Sequence, residues 1–194
     1  QLYAWKERPN RKPLIIRGAR QVGKTWLMMA FARQAYEKWV YVNFEEEEVL
    51  RHVFEQDFDI PRILEALSLR FHTEIDRHTL LLFDEIQAAP RGITSLKYFC
   101  EKAPTQPVIA AGSLLGLSMH GGDSFPVGKV DFLSLQPMTF MEFLHAAGQG
   151  RLAKLITDAG WGAMVYVKDR LIQLLRTYYY VGGMPEAVKA YCDG

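Results

Sequence analysis

Cysteine is scarce: Cys100 and Cys192 are the only two in 194 residues, and neither sits in a C-x-x-C pair. That excludes a disulfide framework and points to free thiols in a reducing compartment. The five histidines (His52, His72, His78, His120, His145) show no metal-ligand spacing. No stretch approaches the length of apolar run needed to span a bilayer, so no membrane partner is expected. Net charge is nearly absent as well, at +1, which argues against a dominant nucleic-acid footprint. An initiator Met and an apolar signal core are also missing from the opening QLYAWKERPN. These features fit an internal segment of a longer, cytoplasmic protein.

What charge there is lies unevenly. Lys6, Arg8, Arg11, Lys12, Arg17, Arg20 and Lys24 face only Glu7 in the first 24 residues, an arrangement that suits a polyanion nearby. Nucleic acid bound through this basic N-terminus is a weaker reading. The acidic run Glu45–Glu48 reads as a helix start, because carboxylates are stabilised at the positive end of a helix dipole.

Apolar runs and helical stripes alternate along most of the chain. Strands are expected at 14–16, 40–44, 79–83, 108–111 and 130–135, and their continuous apolar character predicts a sheet covered on both faces. Leu27, Ala30, Phe31 and Ala35 recur at helical spacing, as do Ile63, Leu64, Leu67 and Phe71. Ile93, Leu96 and Cys100 follow Pro90, a suitable first-turn residue. Strands alternating with helices predict an α/β fold with a parallel sheet. After residue 138 the pattern turns helical only, with a stripe of Met164, Val167, Leu171, Leu174, Leu175 and Tyr178 that stops at Gly182-Gly183. The expected organisation is an α/β core over 1–138 and a lid-like helical piece over 139–194. A Gly-rich stretch, 120–129, lies between the fourth and fifth strands.

Residues 18–25, GARQVGKT, match G-x-x-x-x-G-K-[ST] between a strand and a helix. Chance produces the four fixed positions in about one chain in a hundred of this length. Gly18 and Gly23 permit backbone angles closed to other residues and let the main chain approach a phosphate. Amides from Val22 to Thr25 then form an anion nest at a helix N-terminus. Lys24 reaches the β and γ phosphates, and the Thr25 hydroxyl ligates Mg²⁺. The expected phosphate-binding set is Gly18, Ala19, Arg20, Gln21, Val22, Gly23, Lys24, Thr25 and Trp26.

The apolar strand LLLFDEIQ ends in Asp84-Glu85 at the sheet's carboxyl edge, where ligands of open α/β sheets bind. Asp84 is the expected second Mg²⁺ partner, and Glu85 the base that activates water. Ser113, just past the fourth strand in AAGS, could contact the γ-phosphate or the attacking water. A GTPase should carry D-x-x-G and N-K-x-D; this chain reads DEIQ, and its GKVD echo lacks the guanine-reading asparagine. A small-molecule kinase has no need of a water-activating carboxylate. ATP is therefore the expected nucleotide, ATP/ADP the exchanging partners, and hydrolysis the expected reaction. A nucleotide-gated switch with slow turnover is the alternative.

RPNRKPLIIRGARQVGKT, YVNFEE, FDEIQ, AAGSLLG, PVGKVDFLSLQPMTFMEFL and YYYVGGMPEAV together resemble a prokaryotic AAA-superfamily ATPase. The branch is the one whose loop reads close to R-G-A-R-Q-V-G-K-T. The resemblance implies a parallel sheet of order 5-1-4-3-2 and a sensor role for Ser113. It also implies a nuclease-like C-terminal domain beyond this sequence, where nucleic acid would more naturally bind, and is compatible with homo-oligomers. Many relatives have Gly-Arg where this chain has Gly128-Lys129, so a cationic γ-phosphate contact there is an expectation by analogy only. Arg170 and Arg176 are candidate arginine fingers, with a solvated helix face as the simpler reading.

Overall fold

The computed structural model describes residues 1–113, 126 and 128–194. The chain divides into two compact units, Gln1–Leu135 and Gln136–Gly194. Among the described residues, no helix is long and apolar enough to cross a membrane.

The first unit is built on five parallel strands: β1 (Leu14–Arg17), β2 (Trp39–Asn43), β3 (Leu80–Asp84), β4 (Val108–Gly112) and β5 (Asp131–Ser134). Their order is β2-β3-β4-β1-β5, the 5-1-4-3-2 arrangement that the resemblance implies, read from the other edge. All five apolar runs of the sequence become strands, with ends displaced by a residue or two. β3 and β4 are buried along their whole length because both of their faces are covered.

The helices of this unit are α1 (Leu2–Lys6), α2 (Lys24–Ala35), α3 (Glu48–Gln56), α4 (Ile60–Phe71) and α5 (Pro90–Lys102). One sheet face carries Ile15, Val40, Val42, Leu81, Phe83, Val108 and Ala110 against α3, α4 and α5. There Phe83 meets Phe44, Phe54 and Phe99 edge to face. The other face carries Leu14, Ile16, Leu80, Leu82, Ile109 and Ala111 against α1 and α2. Side chains alternate along a strand, so each strand feeds both cores.

The acidic run does open a helix, α3, with Glu48 in its first turn. Asn43 organises the preceding turn: its amide donates to Glu46, and its side-chain oxygen accepts from the Glu45 N–H. Proline stands in the first turn of α5, as expected. The five-residue α1 has no counterpart in the sequence reading. It is anchored by buried Leu2 and Trp5, whose indole donates to Lys12 O at 2.8 Å.

The second unit is helical: α6 (Phe140–Ala146), α7 (Gly150–Thr157), α8 (Trp161–Val181) and α9 (Pro185–Asp193). Thr139 and Glu142 form a reciprocal capping box at the start of α6. Leu144, Ala153 and Leu174 are its buried centre, with Phe140, Met141, Leu152 and Ile156 partly buried around them. The apolar stripe of α8 exists, but Leu174 is its one buried residue. α8 ends at Gly182.

Candidate phosphate-binding and catalytic site

The loop between β1 and α2 is shaped by two glycines for two different reasons. Gly23 has φ 90° and caps α2 in the left-handed region, where an L side chain is strained. Gly18 corrects the sequence expectation, because its φ does not lie in the left-handed region. Its constraint is space: a Cβ there would stand 2.3 Å from the Leu135 carbonyl oxygen. That carbonyl is held beside the loop by the Leu135 N–H, which donates to Arg17 O at 2.8 Å.

Gln21 also adopts a positive φ, 64°, so left-handed residues bracket Val22. Left-handed residues in a tight loop turn successive amides to one side, the geometry of an anion nest. α2 brings no acidic residue in its first turn and no side-chain cap, which leaves its first N–H groups available to a ligand. Val22 is buried, Ala19, Arg20, Gln21 and Thr25 are exposed, and Trp26 is 74% exposed.

Lys24 is 6% exposed and its ammonium donates to the carbonyls of Ala19 at 2.7 Å and Gly18 at 3.2 Å. The loop thus folds around its own lysine. Burial pulls the Lys24 pKa below the ordinary lysine value, against the opposing charges of Glu85 and Asp84. Both carboxylates are therefore close enough to be felt by the loop.

Asp84, the last residue of β3, is 2% exposed and fully engaged. Its Oδ1 accepts from the Glu85 N–H at 3.0 Å. Its Oδ2 accepts from Thr25 Oγ1 at 2.6 Å and from Tyr41 Oη at 3.0 Å. Two residues far apart in sequence, Thr25 and Asp84, are thereby joined directly. The Tyr41 hydroxyl is held well above the ordinary tyrosine pKa, first by burial, then by the Asp84 charge and hydrogen bond, so it stays a donor.

Glu85 takes a left-handed backbone, φ 47° and ψ 43°, uncommon for a residue with a side chain. Such local strain concentrates at functional sites. Its carboxylate accepts a short hydrogen bond from the Gln87 amide. Ser113 follows β4, which lies between the loop strand β1 and the Asp84 strand β3. It is 1% exposed, and its Oγ has no partner among the described residues. A buried, unsatisfied hydroxyl is costly and marks a place where a ligand or water would be welcome.

Tyr41 and Gln87 are the residues that sequence reasoning missed here. Gln87 stood in the quoted LLLFDEIQ, two positions past Glu85. Tyr41 carried a weaker signal, a hydroxyl within a strand otherwise rich in apolar residues.

Other expected features fall elsewhere. Lys129 pairs with Glu101 at 2.9 Å, beside the start of β5. Asp131 opens β5 in register with Leu14, whereas the loop follows Arg17 at the far end of β1. Lys129 is thus at the sheet's amino edge, opposite the phosphate loop, and the γ-phosphate contact expected by analogy is not formed there. Arg170 and Arg176 are exposed on α8. The basic N-terminus is largely occupied: Lys6 donates to Ala35 O, Arg8 to Asp131, Arg11 to Lys6 O and Thr105 O, and Lys12 to Gly128 O. These four side chains clamp the sheet's amino edge, whereas Arg17, Arg20 and Lys24 stand at the loop. Most of the Gly-rich stretch 120–129, including His120, and the Leu-Leu-Gly that follows Ser113 lie outside the described residues.

A five-stranded parallel sheet with a glycine-bounded loop before α2 and an acid at the end of β3 defines an α/β protein of the phosphate-loop nucleotide-binding class. The family model described as "AAA domain" matches residues 10–144, and the chain belongs to that family. No curated protein matches it. Among solved structures it resembles AMPPCP-bound DnaA from Aquifex aeolicus, with TM-score 0.55 and 11% identity over 99% of this chain and 57% of that one. It also resembles Drosophila ORC bound to DNA, with TM-score 0.51 and 13% identity over 93% of this chain and 54% of that one. The chain therefore spans little more than half the length of these neighbours, and at such identities the likeness is one of fold.

Proposed function

We propose that this chain binds ATP with Mg²⁺ at the β1–α2 loop and hydrolyses its β–γ phosphoanhydride. The observation that carries the reading is the 2.6 Å hydrogen bond from Thr25 Oγ1 to Asp84 Oδ2, which joins loop and strand end in one cluster. A hydroxyl and a carboxylate are hard oxygen donors, the set that Mg²⁺ takes alongside substrate phosphates. Thr25 and Asp84 would hold the ion, which when bound neutralises charge on the phosphate oxygens.

The loop from Gly18 to Trp26 surrounds the phosphates, and Lys24 exchanges its two carbonyl partners for phosphate oxygens. Glu85 takes a proton from water as the new oxygen–phosphorus bond forms and the bridging bond breaks, releasing ADP and phosphate. Ser113 supplies its unpartnered hydroxyl to the γ-phosphate or the water. AMPPCP in the DnaA neighbour agrees with a triphosphate of adenosine as ligand.

Steady-state ATP turnover of the wild type against Glu85→Gln, with nucleotide binding measured in both, tests the reading. Binding should persist while turnover falls about 10²- to 10⁴-fold. Equal turnover in the two proteins removes Glu85 as the base.

A second reading, a switch with slow hydrolysis, is favoured by one observation: the Glu85 carboxylate is engaged by Gln87. It expects tightly held nucleotide and negligible turnover even in the wild type. Hydrogen exchange that is identical with ATP and ADP would dispose of it.

A further inference from the structure

We infer that Tyr41 is a positioning residue that anchors the Asp84 carboxylate from the sheet, independently of the phosphate loop. The inference rests on the reading of Asp84 and Thr25 as the pair that takes up a nucleotide-bound cation.

β2 pairs with β3 so that Tyr41 lies opposite Leu82 and Asn43 opposite Asp84. Opposed residues of a parallel pair share a sheet face, and here that face is the one covered by α2: Tyr41 packs in the same cluster as Leu82, Met28 and Phe31. The Tyr41 ring therefore runs along the sheet toward the residue beyond its own partner. Its hydroxyl ends 3.0 Å from Asp84 Oδ2. With the ring seated against α2, two torsions set the position of that hydroxyl.

Each of the three donors on Asp84 has a different mechanical origin. The Glu85 N–H is local backbone and holds Oδ1. Thr25 stands in the first turn of α2, directly after the loop, and its hydroxyl is free to turn from Asp84 to a bound ligand. Tyr41 alone ties Oδ2 to a neighbouring strand. It keeps that oxygen in place while the Thr25 hydroxyl turns to a cation, and as a neutral donor it brings no charge to compete for the site. Partners of this kind set the orientation of a ligating carboxylate, and their loss typically costs about 10- to 100-fold in metal affinity. A tyrosine that merely satisfied its own hydroxyl would leave cation affinity unaltered when replaced by phenylalanine.

The test uses the 194-residue chain and a fluorescent ATP analogue, titrated once with Mg²⁺ and once with EDTA; the ratio of the two dissociation constants is the metal-dependent gain. Tyr41→Phe should shrink that gain about tenfold while leaving the EDTA affinity as in the wild type. Asp84→Asn should abolish the gain, and adding Tyr41→Phe to it should change nothing further. If Asp84→Asn loses the gain and Tyr41→Phe keeps it, the inference falls while the Mg²⁺–ATP reading stands. If Asp84→Asn keeps the gain, both fall together. Loss of the EDTA affinity in Tyr41→Phe would make Tyr41 a residue of the fold and also overturn the inference.

Discussion

The two units differ in what they do with apolar residues. In the sheet unit, apolar runs become strands with both faces covered, and Ile15, Ile16, Leu80 to Phe83 and Val108 to Ala111 are essentially inaccessible to water. In the helical unit, the 21-residue α8 buries one residue, Leu174, and leaves Trp161, Val165, Tyr166, Tyr179 and Tyr180 exposed. Apolar content is plentiful in both. A strand offers side chains to two layers at once, whereas a helix hides a stripe only as wide as its neighbours cover. The lesson is that a hydrophobic period predicts an element, while the size of the core depends on how many elements surround it.

That contrast can be broken most directly in the two cores. Phe83→Ala removes a ring packed against three others and should cost about 3–5 kcal/mol by denaturant unfolding. Leu174→Ala should fall near the lower end of the leucine series, about 2–3 kcal/mol, because its surroundings are already half open. Equal losses at the two sites would erase the distinction between the units.

A sharper and smaller test is Gly18→Ala. Its Cβ meets the Leu135 carbonyl oxygen, and overpacking of this kind typically costs about 1–3 kcal/mol. Far-UV circular dichroism should be retained while binding of a fluorescent ATP analogue is lost. Binding at wild-type strength would show that β5 yields easily and that the loop is less constrained than the rest of the sheet unit.

The smallest effect is expected at the sheet's amino edge. The His78 N–H and the Thr79 hydroxyl, aided by Lys38, hold the exposed Asp76 carboxyl below its ordinary value. Its contribution is present above the unfolded pKa, about 4, and disappears as the pH falls through the lower folded value. In Asp76→Asn the melting temperature should therefore fall less steeply than in the wild type as the pH drops below about 4. Parallel curves would remove Asp76 as a source of acid sensitivity.

Most of the sheet was legible in the sequence. Five apolar runs became five strands, and Pro90 and the Glu45–Glu48 run marked helix starts, because these signals are local. α1 escaped because five residues hold too little periodicity, and it depends on Trp5 reaching Lys12 O. In the candidate site, the glycine-bounded loop and the Asp84-Glu85 strand end were readable from spacing and strand context. Tyr41 was not, since its link to Asp84 runs between neighbouring strands that α3 and α4 separate in the chain. Lys129 read as part of the site only by analogy; chain direction in a parallel sheet puts it at the wrong end.

The alternation of strand and helix, the glycine-bounded loop and the acidic strand end are thus written in local sequence. Each is encoded within a few consecutive residues, through backbone preference and apolar spacing. Contacts between distant segments set why Gly18 must lack a side chain, which hydroxyls hold Asp84, and that Lys6 and Lys12 are drawn to the amino edge. Those outcomes depend on which distant segments parallel crossovers lay side by side, and no local pattern carries that information.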